Sequence, residues 1–202
     1  MKNILLVMLA SLGLGICCGV QAAERILLSN QGGNSCTGNY LDITAKAKPI
    51  TVNALGLSLS PGTHRLRIFT KQGSYLGSEL RSESWRKVSD FSIQSQGFDK
   101  FTRLDLSDFI VDSFETTGLM VVSSNTLFYS NSEDSEAYLE NSDLAVYAND
   151  AVCGEPFSGS IPNRVLNGVV FYNEGFCFPL IVPNRQPSTD GNAKHLVAPI
   201  CL

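Results

Sequence analysis

Few side chains in this 202-residue chain have the type and spacing that chemistry requires. His64 and His195 are its two histidines, the residue type that titrates near neutral pH. A serine hydrolase sets a histidine between a serine and a carboxylate, and such triads assemble from distant positions. The strand-turn-helix signature G-x-S-x-G is missing, and Gly33-Asn34-Ser35-Cys36-Thr37 lacks its final glycine. His64 follows the Pro61-Gly62 turn and His195 lies in the C-terminal stretch, so both read as exposed surface residues. Glycoside hydrolysis needs two carboxylates flanking one bond. Glu79 with Glu83, or Asp105 with Asp108, would supply them, yet nothing singles out either pair. The chain therefore reads as a protein without catalytic apparatus or cofactor.

Two other groups of residues fit binding. Glu133-Asp134-Ser135-Glu136, followed by Glu140 and Asp143, is the one acidic cluster. Its oxygens would suit Ca²⁺, with Glu133, Asp134 and Glu136 as ligands, but the EF-hand ligand order and turn glycine are missing. It reads first as a solvated loop. Tyr75, Trp85, Tyr129 and Tyr138 fall in or beside expected loops. Aromatic rings in loops stack on sugar rings, and Asn131, Asn141 and Asp143 would add hydrogen bonds. The competing reading is that such rings plug the ends of a core, which Trp85 favours and which weighs about evenly for Tyr129 and Tyr138.

Six cysteines and a short apolar leader define the setting. Met1-Lys2-Asn3 precedes the apolar run Ile4–Ile16, and Val20-Gln21-Ala22 places small residues at a cleavage site. Cleavage after Ala22 is expected, leaving Cys36, Cys153, Cys177 and Cys201. An even count in an exported chain implies two disulfides, and the wide spacing without C-x-x-C argues against zinc. Three connectivities are possible. If Tyr40–Ala45 runs antiparallel to Arg164–Tyr172, Cys36 falls beside Cys177, and Cys153 is left for Cys201. The formal charge of −4 becomes −5 once Lys2 is removed, with no basic run, which speaks against nucleic-acid partners. No stable membrane insertion is expected after cleavage.

The elements that must position these residues are strands. Ile50–Gly77 is the clearest stretch. Ile50, Val52 and Ala54 share one phase, and Leu55, Leu57 and Leu59 the other, as a β-bulge near Ala54–Leu55 would produce. Ser60-Pro61-Gly62-Thr63 is a turn, after which Leu66, Ile68 and Thr70 alternate with Arg65, Arg67, Phe69 and Lys71. Arg25–Ser29, Tyr40–Ala45, Phe101–Leu106, Leu119–Ser123, Leu144–Tyr147 and Arg164–Tyr172 read as further strands, with Asn30–Asn39 and Asn149–Asn163 as loops. No segment holds helical periodicity. Eight to ten short strands predict an all-β sandwich, a jelly roll first and an immunoglobulin-type Greek key second. Residues 1–22 read as a signal peptide, 23–175 as the sandwich, and 176–202 as a proline-rich tail pinned by a disulfide.

The run from Tyr40 to Tyr172 resembles a secreted β-sandwich module of marine bacteria and microalgae. The matching residues are Leu41-Asp42-Ile43-Thr44-Ala45-Lys46, Ile50-Thr51-Val52 and Leu66 through Gly77, ending in Gly73-Ser74-Tyr75-Leu76-Gly77. Then follow Trp85, Tyr129-Ser130-Asn131, Ser142-Asp143-Leu144, Pro156-Phe157 and Pro162 through Gly168. Leu166 stands where the module commonly has an aromatic, Ser132 where it has glycine, and the cysteine-bearing tail is extra. The resemblance implies an adhesion or binding module without known catalysis. The expected partner is a glycan or another surface polymer. The alternatives are contact with another exported protein through a sheet edge, and third a hydrolase.

Overall fold

Strand after strand, the alternating apolar residues settle into two antiparallel sheets facing one another. The computed structural model describes residues 24–29, 32–98, 100–132, 138–175, 177–178 and 200–201. The expected leader, the ligand candidates Glu133, Asp134 and Glu136, and His195 lie outside the described residues. One sheet has the order β1 (Glu24–Ser29), β12 (Gly168–Glu174), β3 (Ile50–Leu57), β6 (Thr102–Val111). The second runs β10 (Ile161–Pro162), β9 (Leu144–Val152), β2 (Asn34–Ala45), β7 (Thr116–Asn131), β4 (Gly62–Gln72), β5 (Arg86–Ser95). Off this path, β8 (Tyr138–Glu140) pairs with β9 and β11 (Arg164–Leu166) with β7.

The topology is that of a jelly roll. The chain alternates between sheets from β1 to β4, makes the β4–β5 hairpin, crosses to β6, returns to β7 and finishes the first sheet with β12. The quartets β1-β12-β3-β6 and β2-β7-β4-β5 form the two layers, and β8 to β11 are an insertion in which β9, β10 and β8 widen the second layer beyond β2 while β11 pairs with β7.

The interior follows from the sequence pattern. In the β3–β12 ladder Val52 and Ala54 stand opposite the adjacent residues Tyr172 and Phe171, so the extra residue, and the bulge, is Asn53. It brings Ile50 and Val52 onto the same inward face as Leu55 and Leu57. Burying each such side chain contributes about 1.5–3 kcal/mol. In β4 the inward phase is His64, Leu66, Ile68 and Thr70. Several strands exceed their sequence boundaries. β2 begins at Asn34 inside the expected loop, β7 continues to Asn131 past the expected end at Ser123, and β9 runs to Val152. In each case pairing with a neighbour holds polar residues in a ladder that their propensity alone would not favour.

Two expectations are corrected here. His64 is fully buried, not a surface residue. Its Nε2 donates to the Ser60 carbonyl at 2.8 Å, which leaves Nδ1 to accept from the Ser123 hydroxyl at 2.7 Å. The disulfide joins Cys36 to Cys153 across a separation of 117 residues, so neither Cys36–Cys177 nor Cys153–Cys201 forms. β2 lies beside β9 rather than beside β12, which puts Cys36 next to the end of β9. Cys177 and Cys201 are instead register partners in the short ladder of β13 (Cys177–Phe178) and β14 (Ile200–Cys201).

Candidate functional site

The outward face of the second sheet carries its own apolar cluster. Tyr40 from β2, Met120 and Val122 from β7, and Val152 from β9 are buried there beneath Tyr75 and Trp85. Both rings belong to the β4–β5 connection, residues 73–85, which folds back over the sheet. Tyr40 and Tyr75 stack with centroids 5.4 Å apart, and Trp85 tilts onto Tyr40 at 5.7 Å. Asp42 is the anchor of this loop. Its carboxylate accepts from the Ser74 hydroxyl at 2.5 Å and from the Tyr75 main-chain N–H at 2.8 Å. Tyr40 Oη donates to the Glu79 carbonyl at 3.0 Å, and Trp85 Nε1 to the Ser78 carbonyl at 3.0 Å.

Burial governs the titration of this cluster. It raises Asp42 above the ordinary carboxylate range, against the hydrogen bonds from Ser74 and Tyr75 and the charge of Lys71. Tyr40 is pushed up to about 12 by burial and then by the charge of Glu79. Tyr75 rises further, through burial and the nearby Asp150 carboxylate.

The aromatic candidates therefore do not share one surface. Tyr75 and Trp85 are packed in this cluster, and only the edge of Trp85 reaches an open groove. Tyr129 sits on β7 with the Arg164 guanidinium 5.5 Å from its ring centroid. Tyr138 is 53 % exposed on β8, where it pairs with Tyr147. Asn131 is exposed at the end of β7, opposite Arg164. Asn141 and Asp143 are turn formers. Asn141 Oδ1 accepts from the N–H groups of Asp143 and Leu144 at 2.9 and 3.0 Å. Tyr172 Oη accepts from Asn141 Nδ2 at 2.7 Å and donates to Asp143 at 2.9 Å.

The open groove that Trp85 borders lies at the flank of the sandwich and has a volume of about 590 Å³. Four elements converge on it. The end of β4 supplies Thr70, Lys71 and Gln72, the approach to β5 supplies Glu83 and Ser84, and β6 supplies Asp108 and Ile110. The β6–β7 turn and the start of β7 supply Asp112, Glu115, Thr116 and Thr117. Partial desolvation and the neighbouring Asp105 raise Asp108 above the usual carboxylate range. Lys71 Nζ is held by the carbonyls of Gln72 and Ser74 at 3.0 and 2.5 Å. Among the described residues no group of three or more His, Cys, Asp or Glu is arranged to hold a metal ion.

Phe114 stands between two residues of this groove, Asp112 and Glu115. It is 76 % exposed, and its backbone has φ +63°. Its N–H donates to the carbonyls of Ala45 and Lys46 at 3.1 and 3.0 Å, and Glu115 N–H closes the turn on Asp112 at 2.9 Å. A bulky residue held left-handed costs about 1–3 kcal/mol, and here the ring that bears that cost is largely exposed. Sequence reasoning passed over Phe114. Its signal was a large aromatic in the polar turn Asp112-Ser113-Phe114-Glu115, just after Phe109-Ile110-Val111.

No protein-family profile matches the chain, and no curated protein matches it. Among solved structures it is similar to chains of the infectious bursal disease virus. For the Gx strain the identity is 13 %, with 75 % of this chain and 36 % of that chain covered, at a TM-score of 0.28. For the Gt strain the identity is 10 %, covering 77 % of this chain and 40 % of the other, at a TM-score of 0.26. The chain thus spans well under half the length of either.

Proposed function

We propose that this protein is an exported, non-catalytic binding module that holds a glycan or similar hydroxylated polymer in the flank groove. Phe114 carries the reading. An aromatic ring exposed at the cost of backbone strain, flanked by carboxylates that line a polar groove, suits the stacking of a sugar ring while carboxylates accept from its hydroxyls. Thr70, Gln72, Thr116 and Thr117 add neutral donors and acceptors to the lining. The disulfide supports an oxidising, extracytoplasmic setting.

The test is binding to a glycan array and to immobilised neutral polysaccharides, with Phe114→Ala, Phe114→Gly and Glu115→Ala alongside the wild type. Phe114→Gly is expected to keep or raise the melting temperature, because glycine accepts positive φ freely, and yet to lose binding about tenfold or more. Absence of wild-type binding to every glycan, with and without Ca²⁺, overturns the reading.

A second reading has one specific observation behind it. β1 is an edge strand of the first sheet, and its Leu27 is 48 % exposed. Such an edge can accept a strand from another exported protein. Pull-down from the secreted fraction, lost when Leu27 is changed to Lys, supports that partner; pull-down indifferent to Leu27→Lys removes it.

A further inference from the structure

A second groove, of about 520 Å³, opens on the part of the second sheet's outer face that the β4–β5 connection leaves uncovered. Arg65 and Arg67 project from β4 on the phase opposite to the buried Leu66. Thr37 and Gly154 form the facing wall, with Ser124 on the floor. That wall is fastened. The disulfide joins the residues immediately before Thr37 and Gly154, and the Thr37 hydroxyl bonds the carbonyls of Val152 and Gly154 at 2.9 and 2.6 Å.

The charges in and beside this groove do not cancel: Arg65, Arg67 and Glu155 line it, and Lys87 and Asp90 stand beside Arg65. Arg65 makes a two-pronged contact with Asp90 at 2.9 and 3.0 Å, and Lys87 shares the same carboxylate at 2.7 Å. Arg67, the register partner of Asp90, reaches Glu155 at 3.1 Å. Three cations thus face two carboxylates, in a chain whose formal net charge is −4. Glu155 is the weaker of the two restraints: its side chain is 84 % exposed and touches Arg67 through one nitrogen. Exposed single contacts of this kind contribute little. A guanidinium carries five donors in a planar fork, so an incoming oxyanion can replace Glu155 with a two-pronged contact. The Ser124 hydroxyl accepts from the Arg65 main-chain N–H at 3.0 Å, which leaves its proton to donate to the same anion.

We propose that this groove binds an oxyanion group, a sulfate ester or a carboxylate carried on a polysaccharide, at Arg65 and Arg67, with Glu155 as the built-in occupant it displaces. The carrier rests on the polymer-binding reading above; the anion rests on these residues alone. The groove is separate from the one beside Phe114.

The experiment is affinity electrophoresis and titration calorimetry with dextran sulfate, polygalacturonate and uncharged dextran, with inorganic sulfate as competitor. The wild type is expected to bind a charged polymer, and whichever of the two binds more tightly identifies the group. Arg67→Ala is expected to weaken that binding about tenfold or more, as loss of a charge-assisted pair does. Glu155→Gln is expected to tighten it about two- to fivefold, because the competitor is gone. Glu24→Gln, on β1, makes the same change in net charge elsewhere and is expected to change nothing. Failure of both charged polymers to bind, indifference to Arg67→Ala, or equal effects of Glu155→Gln and Glu24→Gln each overturn the proposal. Neutral-glycan binding that is lost in Phe114→Ala survives all of those outcomes, so the two readings fail separately. Circular dichroism and the melting temperature of each variant confirm that it folds.

Discussion

Asp42 shows how one side chain can fix a whole loop. Its bond to the buried Tyr75 N–H and its half-buried bond to the Ser74 hydroxyl are made beneath the folded-back loop, where an orphaned N–H finds little water in exchange. Asp42→Ala is expected to cost about 1–3 kcal/mol in urea denaturation. Emission from Trp85, the one tryptophan, is expected to shift to the red as the loop lifts. Unchanged emission would mean that the apolar contacts alone hold the loop. The tyrosines make a second prediction. Tyr40 and Tyr172 are raised from 10.0 to about 12 in the folded protein, chiefly by burial. The unfolded chain therefore releases these protons first, and stability falls as pH rises from 10 toward 12. Tyr40→Phe should flatten that fall; a slope identical to wild type would remove Tyr40 as its cause. At this scale the sequence misled in an instructive way. His64 lies two residues before Leu66, in the inward phase of the same strand, so periodicity placed it inside even though its neighbouring turn pointed to the surface.

Strands make up the next scale, and here the sequence was most legible. The phase change between Val52 and Leu55 announced a bulge that the register with β12 places at Asn53. Deleting Asn53 would return Leu55 and Leu57 to the outward face, so the deletion is expected to abolish cooperative unfolding in calorimetry; a folded deletion variant would show that the ladder can slip. Strand partners were less legible than strands, because alternation marks which side chains face inward but not which strand lies alongside. The disulfide pairing failed for that reason. It assumed that β2 lies beside β12, whereas β12 completes the other sheet. With Cys36 and Cys153 joined, Cys177 and Cys201 remain as register partners. Antiparallel partners sit about 4.5–5.5 Å apart at Cα, inside the range a disulfide spans. Peptide mapping without reduction is expected to return Cys36–Cys153 and Cys177–Cys201; a peptide joining Cys36 to Cys177 would contradict the register.

At the level of the whole molecule, composition and strand count pointed to a jelly roll, and the two quartets of strands have that order. The grooves were not legible in the same way. Arg65, Arg67 and Lys71 were recognisable as the outward phase of β4, but the Asp108, Asp112 and Glu115 that share a groove with Lys71 come from β6 and the turn that follows it. Convergence of that kind is set by the crossings between sheets, which no local pattern encodes. The insertion after β7 has an effect of another kind. Its last long strand, β9, is sewn to β2 by the Cys36–Cys153 disulfide, which closes a ring across a sequence separation of 117. If the molecule is tethered and hauled from its two ends, that ring transmits the load through a sulfur–sulfur bond instead of paying out chain. Oxidised protein should therefore extend by about 400 Å less than reduced protein in single-molecule pulling, the span of a fully drawn-out segment of that size. Equal extensions would show that the ring is open. A module built this way keeps the wall of its arginine groove shut under shear that would unravel an uncrosslinked sandwich.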